Sequence, residues 1–194
     1  MDIVLASASP RRAQLLKQIQ LVFTVAASHI DEIQMETESV VDYVQRMALQ
    51  KAQVGQSNSP ANCAIIGADT VVCLDQRVLP KPQSEAEACA SLLALSGRTH
   101  RVYTALSVLS QAHSLQAMSV TEVTFRQISL AEAQAYWASG EPLDKAGGYA
   151  IQGLGAGFVS GIKGSYSGVV GLPLYELIQL LAELEIQTLP VIPQ

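Results

Sequence analysis

Cys63-Ala-Ile-Ile-Gly-Ala-Asp-Thr-Val-Val-Cys-Leu74 is a nearly unbroken apolar run, rich in Ile and Val, with one acid set inside it. Such a run predicts a strand covered on both faces, as in α/β sheets. Asp69 is the exception, because a buried ionised carboxylate is costly unless it is paired, protonated or bound to a cation. Gly67, two residues earlier, lets the backbone bend or another group come close. Downstream, Leu79-Pro-Lys-Pro82 holds Lys81 in an extended segment stiffened by two prolines. Two readings stand. Either Asp69 and Lys81 belong to a site handling a metal and an anion, or Asp69 caps a neighbouring turn and Lys81 is solvated.

Upstream, Ile3 to Ala6 predicts a short strand, followed by Ser7-Ala-Ser-Pro-Arg-Arg12 and then by Leu15, Leu16 and Ile19 at helical spacing. Ser9 suits the N-cap and Pro10 the first helical position. The start of a helix offers unpaired backbone N–H groups at the positive end of its dipole. Ser7, Ser9, Arg11 and Arg12 surround that point, an arrangement suited to a polyphosphate. Adjacent arginines in a first turn run against the dipole preference, which favours the anion site over an ordinary capped helix. Val22 to Ala27 predicts a second strand. In the loop that leaves it, Asp31 and Glu32 either bring a carboxylate to a divalent cation or form an ordinary solvated acidic pair. Ser39 to Gly55 predicts a helix with Val40, Val44, Met47 and Lys51 on one stripe. A lysine on that face either snorkels to the edge or reaches a buried anion.

Beyond the central strand, Asp75-Gln76 predicts a turn into Val78-Leu79. Ser84-Glu-Ala-Glu87 predicts a capping box for a helix ending at Gly97. Arg101 to Ser110 and Leu115 to Arg126 predict a hairpin, and Ser129-Leu-Ala-Glu132 a second capping box. His100 and His113 have no partner at ligand spacing and are expected to be structural or solvated. The stretch from Gly140 to Gly171 holds 10 of the 13 glycines. Dispersed among Asp144, Lys145, Tyr149, Gln152, Phe158 and Tyr166, they imply tight turns and close backbone approach. Gln152 carries both a donor and an acceptor, as reading a base edge requires. Pro173 opens a last helix with an apolar face of Leu174, Leu177, Ile178, Leu181 and Leu184. The tail from Thr188 to Gln194 is expected to be extended. Strands alternating with helices, then a hairpin, predict a single α/β domain over residues 1–194 with a mixed sheet and no separable linker.

The totals narrow the function. The chain has 194 residues, 49% of them hydrophobic and 15% charged, as expected of a folded domain. A net charge of −5 argues against a general nucleic-acid binder. No run of 18 apolar residues predicts a membrane span, and the N-terminus lacks the basic region of a secretion signal. Cys63, Cys73 and Cys89 have no metal-type spacing and read as buried apolar residues of a reducing compartment, so a cytoplasmic location is expected.

Taken together, the motifs resemble the Maf family of nucleoside triphosphate pyrophosphatases, also called septum formation inhibitor proteins. The resemblance rests on Ala6-Ser-Ala-Ser-Pro-Arg-Arg12, Ala48-Leu-Gln-Lys-Ala52, Gly67-Ala-Asp-Thr-Val-Val72, Lys81-Pro82 and Ser96-Gly-Arg-Thr-His100. It continues in Gly140-Glu-Pro-Leu-Asp-Lys-Ala-Gly-Gly-Tyr-Ala-Ile-Gln-Gly153 and Gly164-Ser-Tyr-Ser-Gly-Val-Val-Gly-Leu-Pro173. It implies an elongated two-lobed α/β fold of the Maf/ITPase-like type, a mixed twisted sheet flanked by helices, with the active cleft between lobes and a homodimeric assembly. It also implies hydrolysis of a nucleoside triphosphate to the monophosphate and pyrophosphate with a divalent metal (Mg, Mn or Co). By matching, Asp69 is the catalytic acid/base, Ser7, Arg12, Lys51 and Lys81 contact phosphates, and Glu32 with Asp69 holds the metal. Arg11, Thr70 and Gln152 match the branch acting on dTTP and UTP; the branch acting on 7-methyl-GTP carries Trp, Gln and Glu there. Rival expectations are a non-catalytic nucleotide-binding regulator of cell division and a broader enzyme that removes non-canonical nucleotides.

Overall fold

A computed structural model describes residues 1–188. In chain order the elements are β1 (Asp2–Leu5), α1 (Pro10–Gln18), β2 (Thr24–Val25), α2 (Val40–Ser57), β3 (Cys63–Leu74), β4 (Arg77–Leu79), α3 (Glu85–Leu95), β5 (Thr99–Leu109) and β6 (Ser114–Phe125). Then come α4 (Leu130–Ala138), two 3-10 turns (Ala146–Gly148 and Leu154–Phe158), β7 (Val159–Lys163), α5 (Tyr166–Val170) and α6 (Leu174–Glu183). The sheet order is β2-β1-β3-β5-β6-β7, with β4 paired to β3. β1 runs parallel to β2 and β3, whereas β4 is antiparallel to β3 and β7 to β6, so the sheet is mixed as expected.

The chain forms two compact units. The first comprises Met1–Asp69, Thr104–Ser119 and the chain from Gly171 on; the second comprises Thr70–Tyr103 and Val120–Val170. In the first, Val4, Ala6, Ala52, Cys63, Ile65 and Leu109 form an apolar cluster under α2. Close approach there depends on missing side chains. A Cβ on Gly67 would lie 2.3 Å from the Ala48 carbonyl oxygen and 2.6 Å from the Ala52 nitrogen, and one on Gly55 would lie 2.6 Å from Ala6 Cβ. Helix α2 thus rests its backbone directly on β3, and only glycine permits this. The second unit has a larger core around Phe125, Tyr136, Tyr149 and Phe158, with Leu92, Leu95 and Val123. His100 lies in it, 2% exposed, its Nε2 2.7 Å from the Tyr149 hydroxyl and its ring edge-on to Phe125 and Tyr149.

β3 spans the full apolar run. Asp75 and Gln76 both take positive φ (50° and 65°), the two-residue turn that hairpins favour. The second strand is much shorter than Val22 to Ala27: it pairs only Val4 with Thr24 and Leu5 with Val25. Val22 is 89% exposed, so its apolar character serves no ladder. Ser9 occupies the N-cap position of α1 with Pro10 after it, but its side chain makes no capping bond; instead the Ser9 N–H donates to Ser7 Oγ at 3.2 Å. The box at Ser84 is half formed, since Ser84 Oγ accepts from the Glu87 N–H while the Glu87 carboxylate accepts from the Gln83 N–H. The box at Ser129 is complete. Among the described residues no helix is long and apolar enough to cross a membrane. The expected extended tail lies, apart from Thr188, outside the described residues.

Candidate active site

The alternation of side chains along β3 builds the site. Residues two apart in a strand share a face, so Asp69 lies on the side where Gly67 meets α2 at Ala48 and Ala52. Lys51 stands on the same stretch of α2. Its ammonium donates to Asp69 Oδ1 at 2.5 Å and lies 2.6 Å from Glu32 Oε1. Asp69 and Lys51 are 6% and 7% exposed, so this is a buried ion pair, flanked by a second carboxylate that remains about one-third exposed. Of the two readings of Lys51, the structure bears out the buried anion. The alternative role of Asp69 as a turn cap gives way to this pairing with a charged amine.

Two further polar residues are buried in the same unit, at the β1–α1 junction. Arg12 donates through Nε to the Gly171 carbonyl at 2.8 Å and through a terminal nitrogen to Ser7 Oγ at 3.1 Å. These bonds fix the plane of the guanidinium. Burial lowers its pKa; the charges of Asp69 and Glu32 act to raise it, and Arg11 to lower it. Arg11, half-buried, is its neighbour in the first turn of α1.

Glu32 comes from a loop without regular structure, and α2 holds that loop in place. The Tyr43 hydroxyl donates to the Glu32 carbonyl at 3.0 Å. Arg46 donates to the Ile33 carbonyl at 2.9 Å and grips the Glu38 carboxylate with two bonds of 2.6 Å. Ser28 Oγ donates to the Ala6 carbonyl at 2.9 Å and ties the start of the loop to the end of β1. Burial, then the Asp69 and Glu32 charges, push the Tyr43 hydroxyl up to about 12. Both members of the acidic pair in the loop are exposed overall, and it is Glu32 whose carboxylate reaches Lys51. Sequence reasoning missed Tyr43 and Gly171. Tyr43 was legible in principle, standing eight residues before Lys51 on the same helical face; Gly171, acting through its carbonyl, left no signal.

The donor set suits a small hard cation: two carboxylates converge on one positive charge. Among the described residues no group of three or more His, Cys, Asp or Glu could hold a metal. A cation at Asp69 and Glu32 would therefore complete its shell from water and ligand oxygens, as Mg²⁺ usually does. Thr70, Lys81 and Gln152 belong to the second unit. Thr70 follows Asp69 in β3 and points to the opposite face. Lys81 and Gln152 are exposed, Gln152 in a bend before the second 3-10 turn. His100 is part of a core, as expected, and all three cysteines are buried and free.

The chain is similar to several known proteins. The dTTP/UTP pyrophosphatase of Saccharophagus degradans is 50% identical over 188 residues, covering 95% of this chain and 90% of that protein. The dTTP/UTP pyrophosphatase of Alcanivorax borkumensis is 50% identical over 182 residues, covering 93% and 94%. A looser likeness links the chain to the solved structure of the Staphylococcus aureus Ham1 protein, with TM-score 0.46 and 14% identity over 64% of this chain and 72% of that one. The family model described as Maf-like protein matches residues 2–184, nearly the whole sequence with every site residue named above inside it, and the chain belongs to that family.

Proposed function

We propose that this protein hydrolyses nucleoside triphosphates, dTTP and UTP foremost, to the monophosphate and pyrophosphate. The observation that carries the reading is the buried Asp69–Lys51 pair beside Glu32, in the unit that also holds Ser7 and Arg12 at a helix start. The relatives named for dTTP and UTP pyrophosphatase support the substrate class.

The reaction needs water to attack the α-phosphorus while the bond to the bridging oxygen breaks and pyrophosphate leaves. Anionic oxygens repel the nucleophile, so neutralising them comes first. Arg12, its plane fixed by Gly171 and Ser7, offers a rigid fork for phosphate oxygens, and the N-terminal end of α1 adds its dipole. Lys51 carries a point charge that can pass from the carboxylates to a phosphate. Asp69 orients the attacking water and takes its proton. Asp69 and Glu32 would hold a divalent cation (Mg, Mn or Co), which supplies neutralising charge and makes water easier to deprotonate. Lys81 contributes a further phosphate contact, Arg11 and Thr70 contribute to substrate choice, and Gln152 pairs with the edge of thymine or uracil, roles that rest on the family match. A cytoplasmic location accords with three buried free cysteines. A homodimer is part of the same proposal, and sedimentation tests it.

The test is pyrophosphate release from dTTP, UTP, ITP and modified pyrimidine nucleotides, with and without Asp69→Asn. The reading expects dTTP and UTP to lead and the variant to stay folded but inactive. Near-normal turnover by the variant removes Asp69 from the chemistry, and equal rates on all four substrates point to the broader enzyme.

A further inference from the structure

Glu141 lies in the turn after α4, and both of its oxygens are engaged. Oε1 accepts from the Tyr136 hydroxyl at 2.8 Å and the Gly155 N–H at 2.9 Å; Oε2 accepts from the Leu154 N–H at 2.9 Å. The Tyr136 hydroxyl in turn accepts from the Ala150 N–H at 3.1 Å. One carboxylate and one phenol thus hold the backbone on both sides of Gln152, at residue 150 before it and at 154 and 155 after it. The fit is close. Gly153 has φ +84°, and a Cβ there would lie 2.5 Å from Glu141 Oε2; a Cβ on Gly155 would lie 2.6 Å from the Tyr136 hydroxyl. Burial pushes the Glu141 carboxyl up, but the Gly155 and Leu154 N–H groups and Tyr136 outweigh it and hold the pKa below the usual range.

Gln152 is exposed and sits in a bend, so the direction of its amide depends on the backbone beneath it. That bend belongs to no strand or helix, and charge-assisted bonds from Glu141 are what shape it. We infer that Glu141, with Tyr136, is a positioning residue for base recognition, holding the 150–155 turn so that Gln152 meets the base edge in one orientation. The inference rests on the role proposed above for Gln152. Loosening the turn weakens discrimination between bases while the chemistry at Asp69 continues.

The experiment compares kcat and KM for UTP and GTP in the wild type, Glu141→Gln, Tyr136→Phe, Gln152→Ala and the Glu141→Gln/Gln152→Ala double variant, with a thermal melt of each. In Glu141→Gln an amide NH₂ faces N–H donors. The expected result is a UTP-over-GTP preference lower by roughly tenfold, carried mainly by KM for UTP. Tyr136→Phe shifts the preference in the same direction by less and carries the test if Glu141→Gln fails to fold. In the Gln152→Ala background, Glu141→Gln removes no further preference, because the two act as one unit. A lower melting temperature with the preference intact in both single variants overturns the inference, as does an undiminished effect of Glu141→Gln in the double variant. If Gln152→Ala itself keeps the preference, base reading by Gln152 falls and this inference falls with it. If Gln152→Ala loses the preference while Glu141→Gln and Tyr136→Phe keep it, only the inference falls.

Discussion

Two groups of buried polar side chains, one in each unit, are treated in opposite ways. In the first, Asp69, Lys51 and Arg12 are kept as ions, each beside an opposite charge or fixed by hydrogen bonds. In the second, His100 and Tyr149 share one hydrogen bond, the His100 Nδ1 has no partner among the described residues, and the surroundings are aromatic. Burial alone pushes the His100 pKa down to about 4, and burial with a smaller contribution from Tyr136 pushes the Tyr149 hydroxyl up, so both are neutral at physiological pH. Hydrophobic replacements often serve as well as a buried ion pair, so ions retained in a core signal chemistry. A neutral pair among aromatic rings signals packing.

The sharpest way to break this contrast is Asp69→Asn. Turnover is expected to fall about a thousandfold. Stability is expected to fall by about 1–3 kcal/mol, because Lys51 loses its buried partner and keeps only the partly exposed Glu32. The double variant Lys51→Met/Asp69→Asn should regain most of that stability and none of the activity, as measured by urea unfolding beside pyrophosphate release. Recovery of activity would mean that the ions serve folding.

On the neutral side the effect is one of pH. His100 has an ordinary pKa of about 6.5 when unfolded and about 4 when folded, so between these values the unfolded chain binds the extra proton. The stability owed to this group is fully present above about pH 6.5, is lost as pH falls towards 4, and amounts to about 3 kcal/mol over that window. Denaturant midpoints across the window should slope in the wild type and flatten in His100→Phe.

Smaller effects sharpen the first unit's geometry. Gly67→Ala puts a methyl against the α2 backbone and should cost about 1–3 kcal/mol, with activity falling more than the lost folded fraction explains. Tyr43→Phe removes the bond to the Glu32 carbonyl and should cost about 1 kcal/mol, and it should raise the metal concentration needed for half-maximal rate.

The ionic cluster was largely readable before folding, because an acid in an apolar strand and a lysine on an apolar stripe are each anomalous. Their pairing was not, since it depends on Gly67 admitting the helix backbone. The first N-cap was read at the right position, Ser9 before Pro10, but the Ser9 side chain makes no capping bond, and the Ser9 N–H donates instead to Ser7 Oγ. The second strand misled because Val22 is apolar yet exposed, and pattern carries no knowledge of a sheet's edge. Glu141 went unremarked for a different reason. Its partners stand thirteen and fourteen residues on, in a segment with no periodicity to read.

Lys51, lodged between two acids, is a counter-ion supplied by the chain itself. Its charge offsets the repulsion between Asp69 and Glu32 within the fold itself. On the proposed function, a chelator is expected to abolish turnover and leave the melting temperature of the protein unchanged.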